Sequence, residues 1–458
     1  MVYLTLINFA IIISIFGYSY FIKRILYRND NNYLKNIDLF FGLFFLLLIS
    51  LIINFFFPLN QLSKFVILFG ILLFIICIFK KKSEISIIKY FFTIFIFSTI
   101  AYYGTDNIDS PLYHLQVIKW LTEHKITFGL ANLGFRLGVN YPWFSIIGVL
   151  NIDYNLFSNK YYLSLIIFSF ILYEILNQKK INKALIFLSL CFSYIFLFSL
   201  IHPFKHGVIL NHFGNPEKDI FNMLLFIINI YIFLNINENQ NENEKQNFIA
   251  IFFISLTLLF MQMPIYISVF PMILFTLFKH FKFKDHKYLL ILIFTISTIW
   301  ILRSVIINGC LVYPASFTCL NTNWTVDLSQ ISLMIEEVKK ISRSLPSLEL
   351  INNTYVTLDT YLWIKPWFKN YFLTMALHQI NLVLILSSLL IIIFLFVRKK
   401  IKFKNYDFYI IISVLLVNIF CTLQMPEIRY YWGPHISLSC FFVSLLMYSN
   451  RNKIIQNK

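Results

Sequence analysis

Apolar runs long enough to cross a membrane recur along the whole chain, separated by polar intervals that alternate between short basic stretches and longer mixed ones. By inspection the runs lie near 2–21, 38–57, 64–79, 88–103, 160–177, 184–201, 220–235, 248–262, 264–278, 288–306, 373–397, 407–424 and 436–449. About 20 residues cross the hydrocarbon, and shorter helices occur inside large bundles. The pattern therefore predicts an all-α integral membrane protein with about 13 transmembrane helices.

The basic residues test this reading, because successive loops must alternate sides. The first run carries no charge before it and is followed by Lys23, Arg24 and Arg28, the reverse of a cleavable signal peptide. A retained first span with its N-terminus outside is expected. Lys23 to Lys35, Lys80-Lys81-Lys82, Lys179 to Lys183, the Asn/Glu-rich 236–247, Lys279 to Lys287, Arg398 to Lys404 and the tail after Arg451 then fall inside. The alternation closes if 248–278 is a helical hairpin turning at Gln262-Met263-Pro264, and if 141–157 is interfacial or re-entrant. The chain divides into four N-terminal helices over 1–103, a core over 104–306 with outer loops 104–159 and 202–219, an outer loop region over 307–372, and three final helices over 373–458.

Composition agrees: 59% of residues are hydrophobic and 13% charged, which excludes a soluble globular protein. The formal charge of +17 would suggest a nucleic-acid partner in a soluble chain. Here most of the surplus sits in the loops assigned inside, so it is an orientation signal, and no nucleic acid is implied. The cytoplasmic loops hold no nucleotide-binding motif, so function is expected on the outer face. Cys77, Cys191, Cys421 and Cys440 lie in or beside spans and read as core residues. Cys310 and Cys319 share an outer loop, where an oxidising compartment allows either a disulfide or two free thiols.

The outer intervals gather the unusual polar residues. In Gly104 to Leu115, Ser110-Pro111 is a helix start, and Gln116, Lys119 and Glu123 form one polar stripe on the interfacial helix that follows. Asp109 precedes that helix, whose N-terminus favours an anion; alternatively Asp106 and Asp109 are caps in a wet loop. Gly129, Gly134 and Gly138 mark a tightly folded segment running to Phe144, near a ligand or else an interfacial loop anchored by Trp143. His202, His206 and His212, with Lys205, Lys218 and Asp219, read either as metal ligands or as a loop meeting lipid phosphates. Arg303 and Arg429 stand at the outer ends of spans, where a buried guanidinium fits phosphate oxygens unless it merely snorkels.

The order of these motifs resembles a family of bacterial polytopic membrane proteins placed with the GT-C glycosyltransferases, which use polyprenyl-phosphate sugars. Asp109-Ser110-Pro111-Leu112-Tyr113-His114-Leu115-Gln116-Val117-Ile118-Lys119-Trp120 is similar to its D-T-G-L-Y-H-L-Q-A-I-K-W loop. Gly129 to Phe144 matches G-L-G-N-L-x-x-R-L-x-x-N-x-x-W-F with Asn132, Arg136, Asn140 and Trp143 in register. Asn215 to Asp219 looks like S-P-x-x-D, Arg303 to Pro314 echoes R-N-x-x-x-S-G-Y-x-x-Y-P, and Met425 to Tyr430 echoes A-P-D-x-R-F. Two departures are the Asp106 to Asp109 spacing, which is not a D-x-D pair, and Gln262, where the family has a lysine.

The resemblance implies a GT-C-like fold in the bacterial inner membrane, and the alternation of basic loops implies a cytoplasmic C-terminus. It implies inverting transfer, on the extracytoplasmic face, from a polyprenyl-phosphate-linked sugar to a glycan, lipid or protein acceptor. In that scheme Asp109 is the base, Arg429 and Arg303 hold the donor phosphate, and His114, Asn132, Arg136, Asp219 and Asp106 shape the sugar or acceptor site. Membrane lipids are the other partners. No cofactor is fixed, and a divalent metal is left open. A lipid-linked glycan polymerase or ligase using Arg429 and His435, or a flippase for lipid-linked sugars, are the competing readings.

Overall fold

The computed structural model describes residues 1–27, 33–80, 82–103, 110–152, 163–178, 181–201, 216, 218–344, 363–372, 376–397, 403–424 and 426–456. Among these residues the fold is all-helical, and β pairing is limited to the isolated bridges Leu34–Ser83 and Cys310–Cys319. The first helices are α1 (Val2–Tyr27), α2 (Leu39–Phe56), α3 (Leu59–Phe79) and α4 (Ile87–Tyr103). A helical turn at Ser110–His114 leads into the short α5 (Leu115–Glu123), and Pro142 opens α6 (Pro142–Leu150). Then come α7 (Leu163–Asn177), α8 (Lys183–Ile201), α9 (Lys218–Glu238), α10 (Glu242–Gln262), α11 (Phe270–Lys279), α12 (Lys287–Asn308) and α13 (Leu328–Ser344). The chain closes with α14 (Ala376–Val397), α15 (Asn405–Gln424) and α16 (Trp432–Gln456).

Helical backbone lies over the described part of each apolar run read from the sequence, and seven helices among the described residues are long and apolar enough to cross a membrane. They are α1, the Asn36–Phe56 segment containing α2, and α3, α9, α10, α12 and α15. The segments 87–103, 163–177, 183–197 and 264–279 are apolar but shorter.

Two features show why these helices pack as they do. Gly17 of α1 lies directly against the Gly70 backbone of α3, and Gly42 of α2 against the carbonyl of Ile15, so the backbones approach where no side chain intervenes. At the centre, α9 is buried along its whole hydrophobic window and is surrounded by α7, α8, α10 and α16. Its mid-length polar residue, Asn229, accepts a bond from Ser255 of α10 at 2.8 Å.

The hairpin expected around Gln262-Met263-Pro264 is present. Met263 is extended, Pro264 opens a 3-10 turn, and the chain returns through α11 so that Lys282 meets Glu242 at 3.2 Å. His286 meets Gln246 at 2.7 Å in the same way. The 141–157 interval contains α6, a helix of nine residues, every one of them buried against α2, α3 and α5. At about 1.5 Å per residue it is far too short to span a bilayer.

Described residues from several of the loops assigned inside by charge meet at one end of the bundle. Lys23 pairs with Asp38 at 2.7 Å, Lys35 with Glu244 at 2.6 Å, and Lys183 with Asp407 at 2.5 Å. Asn36 donates to Glu174 at 2.6 Å, and Leu34 exchanges backbone bonds with Lys82 and Glu84. The first-loop, α6 and α12 contacts lie at the opposite end.

Two stability predictions follow from this packing. Gly17→Leu would force side-chain atoms into the α3 backbone; overpacking of this kind costs about 1–3 kcal/mol or more. A lowered melting temperature of the detergent-purified protein checks it. His286 is buried and stacked on Phe281, with ring centroids 4.8 Å apart, and burial pushes its pKa down from 6.5 to about 4. The unfolded chain then binds the extra proton, so this stabilisation is complete above pH 6.5 and is lost as pH falls toward 4. Thermal melts across that window should show the loss, and His286→Phe, which keeps the ring on Phe281, should flatten part of it.

Candidate functional site

The buried helix α9 begins with two charges, Lys218 and Asp219, at the end of the bundle opposite the basic loops. The carboxylate in the first turn suits the helix dipole, but both groups sit where water is excluded and need partners from the protein. Lys218 Nζ donates to the Tyr141 hydroxyl at 2.7 Å and lies 4.0 Å from that ring's centroid. Asp219 Oδ2 lies 4.0 Å from Arg429 Nε, which also meets Glu427 Oε1 at 2.7 Å. The four charges, two cations and two carboxylates, cancel.

Each member is held by a different element. Tyr141 caps α6, and α6 is locked to α9 by Trp143, which stacks on Phe221 with centroids 4.0 Å apart and donates from Nε1 to the Pro216 carbonyl at 3.2 Å. The Trp143 backbone N–H donates to Gln262 at 3.2 Å, joining the hairpin to the same corner. Glu427 and Arg429 lie on the turn that leads into α16, tied down by Tyr266 donating to the Tyr430 carbonyl at 3.2 Å and Trp367 donating to the Pro426 carbonyl at 2.9 Å. Arg429 also donates to the Tyr430 hydroxyl at 3.4 Å, and burial holds that phenol well above its ordinary range, so it stays protonated.

Arg303 belongs to a neighbouring cluster. It lies five residues before the end of α12, buried, and donates to the side-chain oxygens of Asn140 and, at 3.3 Å, Asn54. Asn140 and Tyr141 are adjacent in sequence, so one short segment serves both Arg303 and Lys218. The loop around them is wound onto the end of α12: Asn308 donates to the Gly138 carbonyl at 2.9 Å, and Gly129 N–H to the Ile306 carbonyl at 2.9 Å. Gly309 ends α12 in the left-handed conformation with φ +81°, and the Cys310–Cys319 disulfide follows it.

The other residues singled out in the sequence are distributed unevenly. His114 is buried beside Phe144, with centroids 5.5 Å apart, and Phe144 lies 5.6 Å from Tyr141, so a row of rings links the first loop to Lys218. Arg136 stacks over Tyr113 at 5.3 Å. Asn132 donates to the Trp324 carbonyl at 2.9 Å and so staples two loops. Gln116, Lys119 and Glu123 form the exposed stripe of α5, as their spacing predicts. Trp143, offered as an interfacial anchor, is instead wholly buried, because its ring fills the contact between α6 and α9. Asp106, Asp109, His202, Lys205, His206 and His212 lie outside the described residues. Among the described residues no group of His, Cys, Asp or Glu side chains is arranged to hold a metal ion.

Sequence reading passed over Tyr141, Glu427 and Asn54, and gave Lys218 no place in the site. Asn54 and Lys218 carried a usable signal, a polar residue inside or opening an apolar run; Tyr141 did not, because aromatic residues are common throughout this chain.

The arrangement draws on segments from Asn54 to Tyr430. The chain belongs to the DUF8201 family. The family, described as a domain of unknown function, matches residues 1–435. No curated protein and no solved structure matches the chain. The DUF8201 match takes in both arginines, Asp219 and the 104–159 interval together.

The charge quartet can be tested apart from any activity. Removing one member of a buried pair costs about 3–5 kcal/mol because its partner is left uncompensated. Asp219→Asn should therefore lower the melting temperature by several degrees, and the double variant Asp219→Asn/Lys218→Met should recover part of the loss.

Proposed function

We propose that this chain is a GT-C-like glycosyltransferase of the bacterial inner membrane, with thirteen crossings and its N-terminus outside, which moves a sugar from a polyprenyl-phosphate donor to an acceptor hydroxyl on the extracytoplasmic face. The observation that carries this reading is the collection of Lys218, Asp219, Arg429 and His114 with Arg303 at the end of the bundle opposite the basic loops. The ionisable residues of the central helix, Lys218, Asp219 and Glu238, lie at its ends and leave its middle to Asn229, which supports surface transfer over transport through the bundle.

The chemistry needs few parts. Asp109 takes the proton of the acceptor hydroxyl, the resulting oxygen attacks the anomeric carbon, and the bond from that carbon to the phosphate oxygen breaks. Polyprenyl phosphate leaves with the electron pair as an anion, so no general acid is required, and the anomeric centre inverts. Cations near the phosphate stabilise the developing charge. His114, Asn132, Arg136, Asp219 and Asp106 border the space for sugar and acceptor in this scheme.

Purified protein incubated with a panel of polyprenyl-phosphate sugars, with and without divalent metal, should release free polyprenyl phosphate. Asp109→Asn should lower that release by a factor of about 10²–10⁴, the usual worth of a general base, while the protein still inserts and purifies normally. Undiminished release in that variant would overturn the reading.

A further inference from the structure

At the end of the bundle opposite the basic loops, the segments 129–138 and 309–335 pack around a second apolar cluster, separate from the main core. Its buried members are Ala131, Cys310, Val326 and Ile331, with Tyr313, Cys319 and Ile335 packed against them. Only Val326 and Ile331 among the buried members are full-sized aliphatic side chains. A core this small does not offset the entropy of ordering a long loop and the start of α13, and proteins meet such a deficit with a covalent staple. The Cys310–Cys319 disulfide lies inside the cluster and joins residues separated by 9 in sequence.

The contacts that place 129–138 run through the stapled loop. Tyr313 donates from its hydroxyl to the Phe135 carbonyl at 2.9 Å, and Asn132 donates to the Trp324 carbonyl at 2.9 Å. Trp324 in turn donates from Nε1 to the Val305 carbonyl of α12 at 2.9 Å, and its ring meets Phe128 edge-on at 5.1 Å. Within the loop, Leu311 N–H reaches the Thr318 carbonyl at 3.1 Å, Leu320 N–H the Gly309 carbonyl at 2.8 Å, and Val326 N–H the Asn308 carbonyl at 3.1 Å. The cysteine pair stands between the first two of these bonds, so the disulfide fastens a short antiparallel pairing. Cys310 is wholly buried and Cys319 half-buried, so oxidation at Cys310 precedes closure of the cluster. Cys77, Cys191, Cys421 and Cys440 remain free thiols, buried within helices.

We propose that the Cys310–Cys319 bridge is a lock, installed by exchange with a thiol-oxidising protein of the compartment that this end faces, and that the cap formed by 129–138 and 309–335 is ordered only in the oxidised chain. In the exchange one cysteine thiolate attacks a sulfur of the donor's disulfide, forming a mixed disulfide and releasing a donor thiolate. The second cysteine thiolate then attacks its partner's sulfur, closing the bridge and releasing the other donor thiolate. The cysteine pair loses two electrons and two protons, and the donor disulfide, gaining both, becomes a dithiol. The bundle does not need the lock, because its core excludes the cluster. The proposal goes beyond the transfer reading and does not depend on it.

The test uses full-length protein purified in detergent without reductant, then denatured and alkylated. Intact mass should show the four free cysteines labelled, and all six after reduction. Six labels without reductant overturn the lock. Hydrogen exchange then compares the native oxidised protein, the same protein reduced with a phosphine, and the Cys310→Ser/Cys319→Ser double variant. The amides of Leu311, Leu320, Val326 and Gly129 should exchange about 10–100-fold faster once the bridge is open, the range expected for closing so short a loop. Those of Leu34 and Glu84, at the basic end, should not change. Unaltered exchange in the cap overturns the lock, and faster exchange at Leu34 and Glu84 overturns its confinement to the cap. The reduced wild-type chain decides both even where the double variant does not fold. Protein made in cells lacking the envelope's thiol-oxidising protein should carry six alkylatable thiols, and four there overturn installation by such a partner.

Discussion

A helix buried along its whole length cannot begin with Lys218-Asp219 unless the protein supplies partners for both charges. This constraint organises the end of the bundle opposite the basic loops. It brings α6 close enough for Tyr141 to receive the lysine, and it brings the turn before α16 close enough for Arg429 to meet the aspartate. Because Tyr141 follows Asn140, the same demand sets the position of the Arg303 cluster. Residues more than two hundred positions apart are tied together by the need to compensate two charges at the mouth of one apolar helix.

The solution leaves the two arginines in different electrostatic states. One is balanced by carboxylates that the fold needs for its own assembly; the other is held by amides that orient it without cancelling its charge. A cation matched by carboxylates and a cation held by neutral amides look alike in sequence. They separate only when the groups around each are known.

The opposite end obeys a simpler rule. Lys35, Lys183 and Lys282 each find a carboxylate on another loop, and Lys23 finds one at the start of the next helix, so these basic residues stitch the helix ends together. Close packing at Gly17, Gly42 and Gly70 completes the N-terminal helices from within, where apolar surface alone gives little preference between helix contacts and lipid.

Local sequence by itself determined the all-helical class, the positions of the apolar segments, the shared end of the basic loops, the hairpin at Met263 and the exposed stripe of α5. Each of these follows from periodicity, charge and turn residues within a short window. The tertiary structure decided the rest. It buried Trp143 where the sequence suggested an interfacial anchor, made α6 a short buried helix where the sequence allowed an interfacial or re-entrant segment, closed the Cys310–Cys319 bridge that spacing had left open, and added Tyr141, Glu427 and Asn54 to the polar clusters. It also set Arg303 apart from Arg429. The physical reason is the same in each case: whether a residue is buried, and whether its charge is compensated, depends on neighbours that lie far away along the chain.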